Sequence, residues 1–446
     1  MSSTTISNFP TESGAAAGDT VFSNARILTA NGDNPFDGEV RVRGERIVEV
    51  CNGRRAKTAP GVKHIDCGGA TLMPGMIDAH LHLSWNNAPG IDPIQMMPPE
   101  EHILSTMHMA KLVLDSGFTA GIGAAAAKLR LDVVIRNEIN AGRIPGPRYT
   151  AAGPEITTVG GLGDIAAPHV QHEALNLGIV VSGPEEVRRI VRTLIKYGVD
   201  TIKLNLSGEE ITGMRAEETP MSEEEVAMAA SEARTRGKVL AAHARSSASV
   251  KQCVRHGIQH IYHASFADEE ALDLLEANKD RHFVAPGLAW LVCTARHAGE
   301  WGIKPGTPMT LAYERELEHA VETCRKMHKR GIRVLIGGDY GFAWTPQGTN
   351  AKDFEYFVSM IGMSPMQAIM AGTKLGGEMM AGVLGTSPQI GVVKEGYFAD
   401  LILVNGDPLA DIRILQDSGR LTAIMKNGQF HKSPAMAGAD GQQKSA

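Results

Sequence analysis

The sequence is poor in aromatic residues and cysteine, and it contains no long apolar run. Its 446 residues include only 11 Phe, 7 Tyr and 4 Trp. The five cysteines are scattered without a CxxC spacing, which argues against a disulfide framework and a cysteine zinc site and favours a reducing, cytoplasmic compartment. No apolar run is long enough to span a bilayer, and a net charge of −6 indicates neither a nucleic acid nor a membrane as partner.

Short β-type runs occur at both ends of the chain, around a long middle of alternating apolar and amphipathic stretches. The dipeptides Asn52-Gly53 and Asn427-Gly428 mark hairpin turns in the two end regions. We therefore predict one small, discontinuous β-sandwich domain over residues 20–70 and 386–432. The segments 1–19 and 433–446 are rich in small and polar residues and are expected to be loose tails.

The middle, residues 71–385, contains eight apolar runs separated by helical patterns. One of these patterns opens with Ser222 followed by Glu225, which predicts a capping box at the start of a helix. The alternation predicts an α/β fold of the (β/α)8 TIM-barrel type, with active residues at the C-terminal ends of the strands. The runs are 72–83, 118–124, 149–156, 201–206, 239–244, 258–266, 283–289 and 333–339.

Metal-capable side chains lie near the ends of these runs. The first run holds His80 and His82, and alternate side chains on a strand face the same way. Two imidazoles about 7 Å apart along a strand can bind one metal ion, although an isolated HxH is more often a pair of partly buried strand histidines. Later runs add four groups that would converge on the barrel axis: Lys203, His243, His263 and Asp339.

This ordered set resembles that of the amidohydrolase superfamily, in the subtype with a binuclear metal centre and a carboxylated lysine. The resemblance extends from about Val21 to Phe430 and includes the closing segment 391–401. It implies two divalent metal ions, zinc in the first place, with cobalt or manganese as alternatives. The family pattern assigns one metal to His80, His82 and Asp339. It assigns the other to His243 and His263, with Lys203 shared.

The lysine is the most informative member of the set. An ammonium group beside two divalent ions is electrostatically unfavourable, so Lys203 is expected to be neutral or modified. In the subtype that the chain resembles, this lysine carries a CO2-derived carbamate that bridges the metals, and a metal-bridging hydroxide attacks the substrate. Asp339 is then predicted to accept the proton of the water and to deliver it to the leaving nitrogen. A salt-bridged or snorkelling lysine is the alternative interpretation.

The substrate is indicated by the loops beyond the strands. Residues 134–146 and 160–164 are similar to the group that contains ochratoxinase, prolidase-like Xaa-Pro dipeptidases, and phenylurea and molinate hydrolases. Leu162 stands where the dipeptidase-like members are expected to have histidine, which disfavours a peptide. Three tryptophans follow strand ends and favour an aromatic-walled pocket, with core packing as the alternative. These tryptophans are Trp85, Trp290 and Trp344. Further candidates for substrate contact are Arg215, which could bind a carboxylate, and His169.

These observations predict a metal-dependent hydrolase of an amide-type C–N bond in a small, largely apolar aromatic compound. The bond would belong to an amide, an N-acyl amino acid such as ochratoxin, or an arylurea or carbamate. A Xaa-Pro-type dipeptidase is the alternative enzyme, and a non-catalytic binding protein on the same fold is the alternative of another class. The resemblance also implies a homo-oligomer, with an octamer as one expected state.

Overall fold

The computed structural model describes residues 18–53, 61–167, 169 and 177–434, and its strands belong to two separate structural units. In chain order the strands are β1 (Thr20–Ile27), β2 (Phe36–Arg43), β3 (Arg46–Asn52), β4 (Lys63–Asp66), β5 (Thr71–Pro74), β6 (Met76–Leu81), β7 (Phe118–Gly123), β8 (Arg148–Thr150), β9 (Ile156–Thr158), β10 (Ile179–Val181), β11 (Thr201–Asn205), β12 (Val239–Ser246), β13 (His260–Phe266), β14 (Phe283–Ala285), β15 (Leu401–Val404), β16 (Leu421–Lys426) and β17 (Gln429–Lys432).

Helices follow most of the barrel strands, as the alternation of apolar and amphipathic segments predicts. They are α1 (Ile91–Met96), α2 (Pro99–Asp115), α3 (Leu131–Asn140), α4 (Pro184–Tyr197), α5 (Glu223–Thr235), α6 (Ser247–His256), α7 (Glu269–Ala277), α8 (Leu288–His297), α9 (Pro308–Lys329), α10 (Lys352–Tyr356), α11 (Pro365–Ala371) and α12 (Lys374–Leu384). The predicted capping box is confirmed at α5, where Ser222 and Glu225 bond each other's backbone N–H. None of the described helices is both long and apolar enough to cross a membrane.

Strands from both ends of the chain join in one eight-stranded sheet. Its order is β17-β16-β15-β5-β1-β2-β3, with β4 beside β1. On β2, buried Val40 and Val42 alternate with the more exposed Glu39 and Arg41, as expected for a strand with one face on a core. That core combines residues of both termini, among them Phe22, Ile47, Leu403 and Met425. Strands and core residues of the two end regions thus belong to one sheet.

The first predicted barrel run, 72–83, is two strands rather than one. β5 pairs with β15 and β1 in the terminal sheet, whereas β6 pairs with β7 in the barrel. Gly75 lies between them, and a Cβ at that position would stand 2.0 Å from the Thr119 Oγ1 atom. Only glycine therefore lets the chain pass from one sheet to the other at this point.

Eight parallel segments form the closed barrel. β6–β8 make one parallel group, and β11–β14 make a second, which bridges to the first through Ala152 and Thr201. The eighth predicted run forms no regular strand, but Val334 bridges to Val284, and the Ala79 N–H donates to the Ile336 carbonyl at 3.0 Å. These contacts close the ring, and the predicted fold class is confirmed.

Two predicted elements differ from the structure. The run 283–289 ends as a strand at Ala285, and Trp290 lies in the first turn of α8 instead of at a strand end. The third run continues beyond Thr150 into a separate strand, β9, which pairs in parallel with β10. β9 also pairs in parallel with β11 at Leu204, near the C-terminal end of that barrel strand.

Candidate active site

His80 on the first barrel strand and His82, one residue beyond its end, face the carboxylate of the eighth segment. His80 and His82 are buried, and their Nε2 atoms lie 3.6 and 3.3 Å from the Asp339 Oδ1 atom. His82 Nδ1 is 3.2 Å from the Ala125 carbonyl, which can only accept a hydrogen bond. That contact places the proton on Nδ1 and leaves the Nε2 lone pair directed toward Asp339.

His243 and His263 complete the group from the fifth and sixth barrel strands. Their rings are 4.5 Å apart, and His263 Nε2 lies 3.9 Å from the Asp339 Oδ2 atom. His243 Nε2 lies 3.0 Å from the Gly208 carbonyl and 3.3 Å from Arg245 Nε, so this nitrogen is already engaged by the protein. The Nδ1 atom of His243 is therefore the one with a lone pair to offer.

The protonation and hydrogen bonding of these imidazoles are those expected of metal ligands. Burial lowers the pKa of His80, His243 and His263 well below the ordinary value, which favours the neutral form that binds metal. Both ring nitrogens of His263 are buried without a hydrogen-bond partner. Two sets of ligand atoms each lie within 4.8 Å of one another: His80, His263 and Asp339 in one, and Glu209, His243 and His263 in the other. The residues present thus fit two neighbouring divalent ions.

The backbone at two of these ligands is strained. His263 and Asp339 have φ angles of 77° and 62°, in the left-handed region that residues other than glycine rarely adopt. Such strain persists where the surrounding structure dictates it, and it concentrates at functional sites. A Cβ on Gly287 would stand 2.9 Å from His263 Nδ1, and one on Gly337 would stand 2.9 Å from the His80 Cβ. The absence of a side chain at these two glycines therefore leaves room for the two histidines.

Lys203 lies on β11 and is only 2% exposed. Its Nζ atom is 4.5 Å from the centre of the Tyr262 ring. Burial lowers the pKa of the amine, although the carboxylates of Glu155 and Asp339 oppose that shift. Because the head group does not reach solvent, the snorkelling alternative is wrong, and the lowered pKa favours a neutral amine.

An open cavity with about 550 Å³ of unfilled space leads to this cluster. Three of the predicted substrate residues line it: Trp85, Leu162 and Trp290. Trp85 stacks on His82, with 4.2 Å between ring centres and 12° between planes. Its ring therefore supports a predicted ligand as well as the cavity wall.

The remaining three predicted substrate residues do not line the cavity. Trp344 is a packing residue, because its Nε1–H donates to Thr294 Oγ1 at 3.0 Å and its ring stacks on Phe342. Arg215 is 67% exposed and lies 3.8 Å from a Glu217 carboxylate oxygen, so the acidic neighbours of its loop turn it outward. His169 is exposed as well.

Sequence reasoning missed a buried network of charges behind His243. Arg245 is fully buried and donates to both Glu209 and Glu316. Glu209 also accepts from Tyr313 Oη at 2.5 Å and Trp290 Nε1 at 3.2 Å, and burial raises its pKa to about 7. The signal was the spacing of Arg245, two residues beyond a predicted ligand on the same strand, because such residues share a face.

Sequence reasoning also missed Glu155, which is 5% exposed and lines the cavity. Burial raises the pKa of this carboxyl, while Lys203 and Asn205 oppose the shift. A Cβ on Gly163 would stand 2.9 Å from Glu155 Oε1, so the carboxylate lies against the backbone beside Leu162. A charged residue inside the otherwise apolar run 149–156 was the available signal.

Comparisons with known proteins agree with this geometry. Residues 71–430 match the model of the amidohydrolase family. Ochratoxinase of Aspergillus niger is 27% identical over 391 residues, covering 82% of this chain and 76% of that protein. A prolidase solved with N-methylphosphonate-L-proline has a TM-score of 0.83 at 26% identity, covering 93% of this chain and all of that one. Molinate hydrolase shares the fold, with a TM-score of 0.73 at 20% identity over 94% of this chain and 95% of that one. The predicted resemblance is confirmed.

Proposed function

Because this chain belongs to the amidohydrolase family and is a hydrolase of C–N bonds, we propose that it cleaves a small, largely apolar aromatic compound. The bond is that of an amide, an N-acyl amino acid, an arylurea or a carbamate. One observation carries the proposal: the cavity that ends at His80, His82 and Asp339 has aromatic and aliphatic walls. Apolar walls around a few convergent polar groups are typical of sites for small apolar ligands.

The ligand set supports a binuclear centre, with zinc as the first choice of metal. His80, His82 and Asp339 would hold one ion, and His243 and His263 the other. Such ions polarise a carbonyl group and activate water at neutral pH. The neutral amine of a lysine is the form that reacts with CO2, losing a proton as its nitrogen bonds to carbon, and a carbamate formed in this way on Lys203 would be shared by the ions.

Asp339 has the proton-transfer role in this proposal. It is the carboxylate that faces His80 and His82, and metal ions held by these residues would keep it ionised and able to accept a proton. Its two oxygens face different histidines, with Oδ1 near His82 and Oδ2 near His263. A carboxylate between the two ligand groups can take a proton from water and pass it to the leaving nitrogen.

A Xaa-Pro-type dipeptidase is the second candidate, favoured by the similarity to a prolidase over 93% of this chain. Against it, apolar Leu162 lines the cavity where the dipeptidase-like members are expected to have histidine. A non-catalytic binding protein would require the ligand set to be incomplete, and all six positions carry metal-capable groups.

A turnover screen of the zinc-loaded protein tests the proposal. We expect hydrolysis of an aryl amide, an N-acyl amino acid with an aromatic side chain, or an arylurea, and little hydrolysis of Xaa-Pro dipeptides. The His263→Ala variant is the matched negative control, since any activity that it retains belongs to a contaminant. Turnover confined to small polar dipeptides would replace the proposal with the dipeptidase, and no turnover together with no bound metal would favour the binding protein.

A further inference from the structure

The charge of the cavity wall limits the substrates that it can bind. Four charged side chains line the cavity among the described residues: Glu155, Lys203, Glu209 and Asp339. Three are carboxylates, and the only basic one is Lys203, which is itself a proposed metal ligand. Apart from the proposed metal ions and their ligands, the wall therefore offers a substrate carboxylate no basic side chain within the described residues.

The guanidinium of Arg245, which lies beside the metal ligand His243, already binds two carboxylates. Arg245 is fully buried, and its two terminal nitrogens donate to Glu209 and Glu316. Its Nε lies 3.3 Å from His243 Nε2, on the far side of a metal ligand. Moving Arg245 toward a substrate would leave two buried carboxylates without their counter-charge, which is strongly unfavourable.

Glu155 is in a different situation from the other two carboxylates of the wall. Asp339 faces the histidine cluster, and Glu209 accepts from Arg245, Tyr313 and Trp290. Glu155 has Lys203 as its neighbouring cation and the Asn205 amide beside it. Among the described residues, no lysine, arginine or histidine forms an ion pair with Glu155, so it keeps a buried acceptor group in the cavity.

The position of Glu155 brings this acceptor close to the apolar wall. Its Oε1 atom lies against Gly163, next to Leu162, and the Leu162 carbonyl accepts from Asn205 Nδ2 at 2.8 Å. A ligand that packs on Leu162 thus meets a carboxylate at the same wall. Buried carboxylates are stabilised by N–H donors, and most strongly by cationic ones.

We propose that Glu155 is a specificity-determining residue that selects substrates bearing an amine or another N–H donor and rejects substrates bearing a carboxylate. This inference rests on the proposed hydrolysis of aromatic C–N bonds and narrows its substrate class. Among the candidate substrates, arylureas, carbamates and amine-bearing amides fit the wall. N-acyl amino acids and dipeptides with a free carboxylate do not.

A substrate series that differs only in charge tests the inference. Acetanilides that carry para-aminomethyl, para-methyl or para-carboxylate groups are nearly equal in size, and a parallel series carries the same groups on a benzoyl side. For at least one series we expect kcat/KM to fall from the amine through the methyl to the carboxylate compound, by about tenfold or more between the ends. An equal or better rate for the carboxylate compound in both series would overturn the inference.

Two variants test whether Glu155 is the residue that causes this selectivity. Glu155→Gln is expected to bring the three rates within about threefold of each other, mainly through loss of the amine compound's advantage. Glu224→Gln, at an exposed position on α5, is the matched control and should keep the wild-type order. An unchanged order in Glu155→Gln would contradict the inference. So would a loss of bound metal in that variant, because Glu155 would then act as a ligand.

Product binding separates this inference from the proposed function. If none of the compounds is hydrolysed, the proposed function is wrong, and calorimetric titration with the corresponding anilines decides the inference by itself. Tighter binding of 4-(aminomethyl)aniline than of 4-aminobenzoate in the wild type, with the difference lost in Glu155→Gln, supports it. Equal binding of the two, or tighter binding of 4-aminobenzoate, overturns it.

Discussion

Several side chains at this site are both polar and buried. Changing one of them is expected to lower either the turnover or the stability of the protein. His263 is fully buried, with two ring nitrogens that lack hydrogen-bond partners and a backbone in the left-handed region. Asp339 shares that backbone conformation and faces three of the histidines. Left-handed backbone and unpaired buried nitrogens lower the stability of a folded protein. Binding of a common ligand by these groups would explain why they are present.

The role of Asp339 gives the first prediction. Asp339→Asn keeps the shape of the side chain but removes its ability to accept a proton, so turnover should fall by about 10²–10⁴-fold. Steady-state kinetics on the best substrate of the screen measures this, and metal analysis of the same sample shows whether the centre is retained. Wild-type turnover in a variant with normal metal content would show that Asp339 is not the proton acceptor.

Arg245 gives a prediction on stability at the same scale. Arg245→Met leaves Glu209 and Glu316 buried without a counter-charge, and breaking such a pair costs about 3–5 kcal/mol. We expect a clearly lower thermal midpoint, measured by calorimetry. Arg413→Met is the matched control, because Arg413 is 66% exposed and pairs only locally with Asp411. Equal midpoints for the two variants would mean that the buried network contributes nothing.

At the scale of elements, strand ends and close approaches place the ligands. His80 lies on β6, and the eighth segment passes beside it at Gly337, whose backbone N–H donates to Asp353 at 3.1 Å. The two segments are joined by few backbone hydrogen bonds, among them the one from Ala79 to Ile336. Close packing at Gly337 is therefore part of what keeps Asp339 opposite His80 and His82.

Gly337→Ala tests this packing. Its Cβ would stand 2.9 Å from both the His80 Cβ and the His80 backbone nitrogen, so one of the two segments has to move. We expect weaker metal binding and reduced turnover, measured by competition with a chelator. Gly382→Ala in α12 is the control, because its Cβ meets open space and a helical alanine stabilises by about 0.5–1 kcal/mol over glycine. Metal affinity unchanged in Gly337→Ala would show that this packing does not position the ligands.

The sequence predicts strands and their order well where a run is apolar and ends at a metal-capable residue. β11 and β12 lie close to their predicted bounds, and every residue of both strands is buried. Regions whose structure depends on distant contacts are predicted less well. The turn at Gly75 and the helix around Trp290 depend on Thr119 and Gly338, whose proximity the local sequence does not encode.

At the scale of the whole molecule, the terminal sheet and the barrel are joined by buried polar contacts. Arg148 lies on barrel strand β8 and donates to both oxygens of Asp400, which is 3% exposed, at 3.1 and 3.3 Å. The same guanidinium lies 4.1 Å from the centre of the Phe398 ring. This contact connects the two units through one charged pair and one aromatic face.

Arg148→Met should weaken that connection. It leaves the Asp400 carboxylate buried without its cation, at a cost of roughly 1–3 kcal/mol. We expect a lower midpoint or a second, earlier transition as the terminal sheet separates from the barrel, measured by scanning calorimetry. Arg43→Met removes a pair confined to the terminal sheet and serves as the control. A single transition at the wild-type midpoint in Arg148→Met would show that the contact does not couple the units.

The central claim is that the six side chains at the strand ends hold metal ions on which hydrolysis depends. Zinc added stepwise to chelator-treated protein, with turnover of an aryl amide or arylurea recorded at each step, tests this claim most directly. We expect turnover to be absent without metal and to reach a plateau at about two zinc ions per chain, and Lys203→Ala to lose both the second ion and the activity. Full turnover of the metal-free protein, or unchanged zinc stoichiometry and activity in Lys203→Ala, would contradict it.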